Sequence, residues 1–205
     1  MADVEIDAFL AERGFRTPEA RRAARAVLEA AGLTNPRKSR LSDGKLGPAR
    51  EALARELVRA CGETVCAEAA ARREGARAVT ADPEDCEICG GSANARAAVR
   101  FSAACAGRRP RLVVVGGSPD VRRELARLIG RDAELRLVDG TGTMTADRAR
   151  ADVRWADLVV VAGASELSHK VSVPYRSAAD GREKVIVVPK RGVAAIIDAA
   201  TERLR

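Results

Sequence analysis

Four short apolar runs in the second half of the chain constrain its fold more than any other feature. They are Leu112-Val113-Val114-Val115, Leu135-Arg136-Leu137-Val138, Leu158-Val159-Val160-Val161 and Val185-Ile186-Val187-Val188. Each ends in a turn: Gly116-Gly117, Asp139-Gly140, Ala162-Gly163 and Pro189-Lys190-Arg191-Gly192. Three of the runs have no polar alternation, which fits strands covered on both faces in a parallel sheet. Helical stretches separate them. Ser118-Pro119-Asp120 reads as the cap and first turn of a helix ending near Gly130. Others follow at about Ala146–Trp155 and Val193–Leu204. The alternation predicts an α/β domain over 111–205, with a doubly wound, mainly parallel, four-stranded sheet and right-handed crossovers.

The N-terminal part reads as all-α over 1–85. Thr17-Pro18-Glu19 starts a helix that runs to Ala31-Gly32. A second is expected from near Pro48 through Leu53, Leu57 and Val58 to Cys61-Gly62. The segment 86–110, a cysteine knuckle and a helix from Ser92-Ala93-Asn94 to Cys105, is expected to connect the two domains.

Five cysteines make a disulfide framework unsuitable, since the number is odd. Cys86-Glu87-Ile88-Cys89-Gly90-Gly91 has the C-x2-C spacing that aims two thiolates at one metal ion, with backbone N–H groups behind the sulfurs. Cys105 is a poor third ligand, because the expected helix carries it about 18 Å from the knuckle. Cys61 and Cys66 would diverge by about 140° on an unbroken helix. Gly62 offers the break that turns both inward. The expected ligands are therefore Cys61, Cys66, Cys86 and Cys89, with zinc as the metal and an iron–sulfur cluster as the alternative.

Ligands of doubly wound sheets bind where the strands end. The candidate ligand-binding residues at those ends are Gly116, Gly117 and Ser118 at a helix N-terminus, Asp139, Ser165, Ser168, His169, Lys170, Lys190 and Arg191. Asp139 lies where a ribose-binding acid sits in dinucleotide-binding folds. Against a standard cofactor site stand the missing G-x-G-x-x-G, the acid Asp120 and the lost donor at Pro119. His169 is the sole histidine and a candidate acid–base group.

The last 95 residues resemble an uncharacterised bacterial family of Rossmann-like domains. The resemblance rests on the Gly116-Gly117 turn, on Ala156-Asp157-Leu158-Val159-Val160 and on Ser168-His169-Lys170, preceded by the Cys-x2-Cys-Gly-Gly-Ser element. It implies the fold and draws attention to His169; it implies no reaction.

The chain of 205 residues has a net charge of +7, concentrated in places. Residues 20–50 hold eight basic and two acidic side chains. Arg21, Arg22, Arg25, Arg37, Lys38, Arg40 and Lys45 are the candidate contacts to DNA or another polyanion. An aromatic content of 2% argues against a stacking platform for single strands. No apolar run is long enough to span a membrane, and the acidic N-terminus lacks a signal-peptide pattern, so a cytoplasmic chain is expected. Together these features predict a metal-stabilised binding or regulatory protein with a small anionic, nucleotide-like ligand. The alternatives are an enzyme acting on nucleotides or nucleic acid through His169, with Ser165 or Ser168 nearby, and a scaffold or homo-oligomerising subunit without ligand.

Overall fold

A computed structural model describes residues 3–164, 167–178 and 181–205. The chain divides into two compact units, one up to Ser92 and one from Ala93. The segment expected to connect them is thereby split. The knuckle belongs to the first unit and the helix after it to the second.

The first unit opens with β1 (Val4–Glu5), α1 (Ile6–Glu12) and α2 (Pro18–Ala30). It continues with β2 (Arg40–Leu41), a short 3-10 turn, α3 (Leu46–Glu56), β3 (Leu57–Ala60), α4 (Thr64–Ala71) and β4 (Arg77–Thr80). β1 and β2 pair antiparallel, and β3 and β4 pair parallel with α4 as the crossover. The all-α expectation is thus wrong for this unit. The helix expected to continue through Leu57 and Val58 to Cys61 stops at Glu56, and Leu57 turns extended (φ −131°, ψ 143°). A short apolar tract does not by itself separate strand from buried helix. Here parallel pairing of Leu57 with Arg77 and Val58 with Ala78 decides for the strand. Ile6, Phe9, Leu10, Phe15, Leu28 and Leu57 form the core below.

α2 begins as expected. Thr17 Oγ1 accepts the Ala20 N–H at 3.1 Å and donates to the Thr80 carbonyl at 2.8 Å, so one hydroxyl caps the helix and ties it to β4. Thr17→Ala is expected to cost about 1–2 kcal/mol, with Thr17→Ser recovering most of it, measured by urea unfolding.

The second unit contains α5 (Ala93–Cys105), β5 (Arg111–Val115), α6 (Pro119–Ile129), β6 (Glu134–Val138) and α7 (Ala146–Trp155). β7 (Leu158–Ala162), α8 (His169–Arg176), β8 (Val185–Val188) and α9 (Val193–Leu204) complete it. All four strands are parallel, in the order β6-β5-β7-β8. This is the Rossmann-like α/β arrangement expected. Strand alternation sorts the core into two layers. Leu112, Val114, Leu158 and Val160 face α5, α6 and α9. Val113, Val115, Val159 and Val161 face α7 and α8. A side chain on either face of β5 or β7 meets helix, which is why these runs are apolar throughout. α5 and α9 are clasped by a bidentate ion pair from Arg100 to Asp198 (2.8 and 3.0 Å) and by Asn94 Oδ1, which accepts the Ala194 N–H at 3.1 Å. Among the described residues, no helix is long and apolar enough to cross a membrane.

Candidate functional site

The four expected metal ligands converge. The sulfurs of Cys61, Cys66, Cys86 and Cys89 all lie within 4.8 Å of one another, and all four residues are buried. β3 delivers Cys61 at its end. Gly62 and Glu63 turn the chain, and α4 carries Cys66 in its first turn. The expected break at Gly62 is therefore a strand-to-helix turn, not a kink within a helix. On the other side, a 3-10 turn over Pro83–Asp85 leads into Cys86. Gly90 (φ 52°) and Gly91 (φ 78°) take the left-handed conformations that end the knuckle. The Glu87 N–H donates to the Arg59 carbonyl at 2.9 Å, which fastens the knuckle to β3.

The geometry fits a single ion. The Cys61 and Cys89 sulfurs are 3.8 Å apart. A tetrahedron with metal–sulfur bonds of about 2.3 Å has edges of about 3.8 Å. The same separation is far beyond the disulfide bond length of about 2.05 Å, and all five cysteines are free. Burial pushes the Cys61 and Cys66 thiols up, while the Glu63 N–H acts against this at Cys61. At Cys86 burial also acts upward, but the backbone N–H groups of Cys61, Cys89 and Ile88 outweigh it and hold the thiol down at about 7. Amides aimed at sulfur are what a ligating thiolate requires. Four buried sulfurs with N–H donors behind them could hold a metal ion and would leave it no open position for chemistry. Cys105 lies elsewhere, in the core of the second unit, where burial raises its thiol.

The second candidate region is a cleft of about 510 Å³ at the carboxyl ends of β5 and β7. Strand order reverses here, since β6 lies on one side of β5 and β7 on the other. Of the expected residues, Gly117, Ser118, Asp139, Lys190 and Arg191 line it. The N-terminal ends of α6 and α9 both border it, through Ser118 and Gly192. Ser118 Oγ caps α6 by accepting the Val121 N–H. Gly116 is not in the lining; its N–H continues the ladder to the Val138 carbonyl. Asp120 turns away to Arg123.

Asp139 is a turn former as well as a lining residue. Its Oδ1 accepts the Thr141 N–H and hydroxyl, each at 2.7 Å, and Oδ2 accepts from Arg122 at 2.9 Å. The Thr141 donors, then the Arg122 charge, hold its carboxyl below the ordinary range, with slight burial acting against them. Arg122 also donates to the Gly117 carbonyl at 2.6 Å. Sequence reasoning missed Arg122; its place one turn into the helix that Ser118 caps was the available signal. Arg191 Nε donates to the Ala164 carbonyl at 2.8 Å, and Lys190 is exposed.

The Ser168-His169-Lys170 element stands apart from this lining. Ser168 caps α8 through the Lys170 N–H, and its own N–H donates to the Gly140 carbonyl at 2.8 Å. His169 is exposed at the first residue of that helix. Ser165 lies outside the described residues.

The basic segment is largely spent on its own unit. Arg21 donates to the Arg16 carbonyl, Arg25 to the Lys38 carbonyl and Lys45 to the Leu33 carbonyl. Arg40 pairs with Glu5. Arg22, Arg37, Lys38 and Arg50 remain as exposed cations, and Arg40 is exposed in its pair. No family model, curated protein or solved structure matches the chain.

Proposed function

We propose that this chain is a metal-stabilised binding protein whose α/β unit takes a small anionic, nucleotide-like ligand in the strand-end cleft. The observation that carries the reading is the convergence of two helix N-termini with Lys190 and Arg191 at the point where strand order reverses. In this reading the backbone ends of α6 and α9 receive the anionic group. Arg122 and Asp139 fix the shape of the wall, and Lys190 supplies mobile charge. The metal is zinc: a borderline-soft ion with tetrahedral coordination suits four sulfurs that all lie within 4.8 Å of one another, whereas a multi-iron cluster sets iron and sulfide atoms between the cysteine sulfurs and spreads them. Its role is structural, and five free thiols suit a reducing cytoplasm. An enzymatic role for His169 would require it beside the ligand, and the cleft lining does not include it.

Titration calorimetry with a panel of purine nucleotides tests the proposal. Lys190→Gln/Arg191→Gln is expected to weaken the best ligand by about tenfold or more, because each lost charged donor removes on the order of 1.5 kcal/mol. Absence of binding across the panel, or unchanged affinity in the variant, would sink the reading.

A further inference from the structure

The first unit contains a pocket that sequence reasoning did not single out. It holds about 250 Å³, room for about eight waters at ~30 Å³ each. Its floor is apolar: Phe15, Leu53 and Leu57 are 3%, 3% and 1% exposed. Its polar lining comprises Arg13, Arg50, Arg59 and Glu87. Arg13 follows α1, Arg50 sits on α3 one turn before Leu53, and Arg59 comes from β3. The floor and the cations are thus drawn from three separate parts of the unit, and Glu87 from a fourth.

These arginines are under-partnered. The Arg50 guanidinium meets no hydrogen-bonding or ionic partner among the described residues. Arg13 Nε is buried without an acceptor, and its guanidinium stacks 5.5 Å from the centre of the Phe9 ring. Arg59 lies 5.2 Å from the Phe15 ring centre. Its Nε is 3.2 Å from Glu87 Oε1 but off the hydrogen-bonding direction, and is also buried without an acceptor. Buried donors without acceptors are costly, and three cations around one small pocket repel one another. An anion in the pocket would relieve both.

We infer that this pocket binds a phosphate monoester carrying a small apolar body. The lining holds three guanidinium groups and one carboxylate, and that carboxylate is shared with Arg73 at 3.4 Å; the pocket therefore keeps at least two positive charges, enough for a monoester dianion at neutral pH. Planar guanidinium groups offer the paired N–H donors that phosphate oxygens accept. The Phe15, Leu53 and Leu57 floor receives the apolar part. The pocket is also anchored to the metal-bearing segments. The Arg59 N–H donates to Glu87 Oε1 at 3.1 Å, the Glu87 N–H returns a bond to the Arg59 carbonyl, and Glu87 lies between Cys86 and Cys89. The metal centre thereby holds one wall of the binding site in place.

The test uses the full metal-loaded chain carrying Lys190→Gln/Arg191→Gln, which weakens the strand-end cleft, and dependence on Arg50 and Arg13 then assigns the remaining binding to this pocket. Phenyl phosphate is titrated by calorimetry, beside inorganic phosphate, benzoate and a mixed-sequence DNA duplex. Phenyl phosphate is expected to bind once per chain, more tightly than inorganic phosphate or benzoate. Arg50→Gln and Arg13→Gln should each weaken it by about tenfold or more, with metal content retained. Arg50→Lys should recover only part of the loss, and Arg72→Gln, outside the pocket, none of the affinity should be lost. No binding of phenyl phosphate at millimolar concentration, or equal affinity in Arg50→Gln, overturns the inference. Duplex DNA bound in an Arg50-dependent way without phenyl phosphate binding also overturns it, and assigns the pocket to nucleic-acid backbone.

Discussion

Stripping the metal is expected to melt the first unit and leave the second folded. The four sulfurs come from the end of β3, the first turn of α4 and the knuckle, segments up to 28 residues apart in the chain. Without a cation, the backbone amides that favour a thiolate at Cys86 leave negative charge buried among four sulfurs with no counter-charge. Elsewhere the described residues of the unit form two two-stranded sheets and one modest core. Structural zinc contributes on the order of 10–16 kcal/mol at neutral pH, all of it counted as folding free energy. This is comparable to the total stability of about 5–15 kcal/mol typical of a domain. Elemental analysis should find about one ion per chain, colourless if zinc. A strong chelator, or Cys89→Ser, should abolish one of two calorimetric transitions, whereas Cys105→Ser should keep the ion bound. Acid should release the metal, because protons compete for the thiolates. Metal-free protein that retains both transitions would refute the structural role.

Truncating Asp152 should cost about 2–3 kcal/mol in the second unit. Its side chain, 10% exposed, accepts from Tyr175 at 2.7 Å and from Arg136 at 3.0 Å. Arg136 in turn lies over the Trp155 ring at 3.8 Å. Asp152→Ala leaves a buried hydroxyl without its acceptor and a guanidinium without its counter-charge. The cost falls below the roughly 3–5 kcal/mol of a fully buried pair, because Arg136 is 44% exposed and keeps both water and the Trp155 face. Tyr175→Phe removes only one bond and should cost about 1 kcal/mol. The tyrosine also predicts a pH effect. Burial, then the Asp152 hydrogen bond, raises its hydroxyl above the ordinary value of 10.0. The neutral form is the one the fold favours, so its contribution is complete below about pH 10 and is lost as pH rises beyond it. Denaturant unfolding between pH 8 and 11, roughly, should show the wild type losing stability faster than Tyr175→Phe. Parallel profiles would refute this coupling.

What the sequence revealed depended on the range of the interaction involved. The second unit was legible because each run such as Leu112–Val115 carries its own evidence: continuous apolar character implies cover on both faces, and Gly or Pro marks its end. The helix from Pro119 was marked by Ser118, whose hydroxyl does cap it; the helix from Ala146 is capped in the same way by Thr145. The metal quartet was readable from spacing plus one glycine. By contrast, β3 was hidden: Leu57 and Val58 continue a helical pattern, and only β4, twenty residues on, makes them a strand. The cleft was half visible. Strand ends locate it, but the α7–α8 side takes Ser168, His169 and Lys170 away from its lining, and no local signal tells which face a loop will serve. The arginine pocket was invisible for a related reason, since Arg13, Arg50 and Arg59 are brought together solely by tertiary packing in an arginine-rich chain.

The clasp between α5 and α9 has a consequence for biosynthesis. Phe101 on α5 packs in the same layer as Ile196 and Ile197 on α9, almost a hundred residues later. As the chain leaves the ribosome, β5 and α6 emerge with one side of their apolar layer still uncovered. The sheet cannot close on that side until α9 has cleared the exit tunnel. During that interval α5 is an amphipathic helix waiting for its partner, and the nascent chain is at its most exposed to chaperones and proteases.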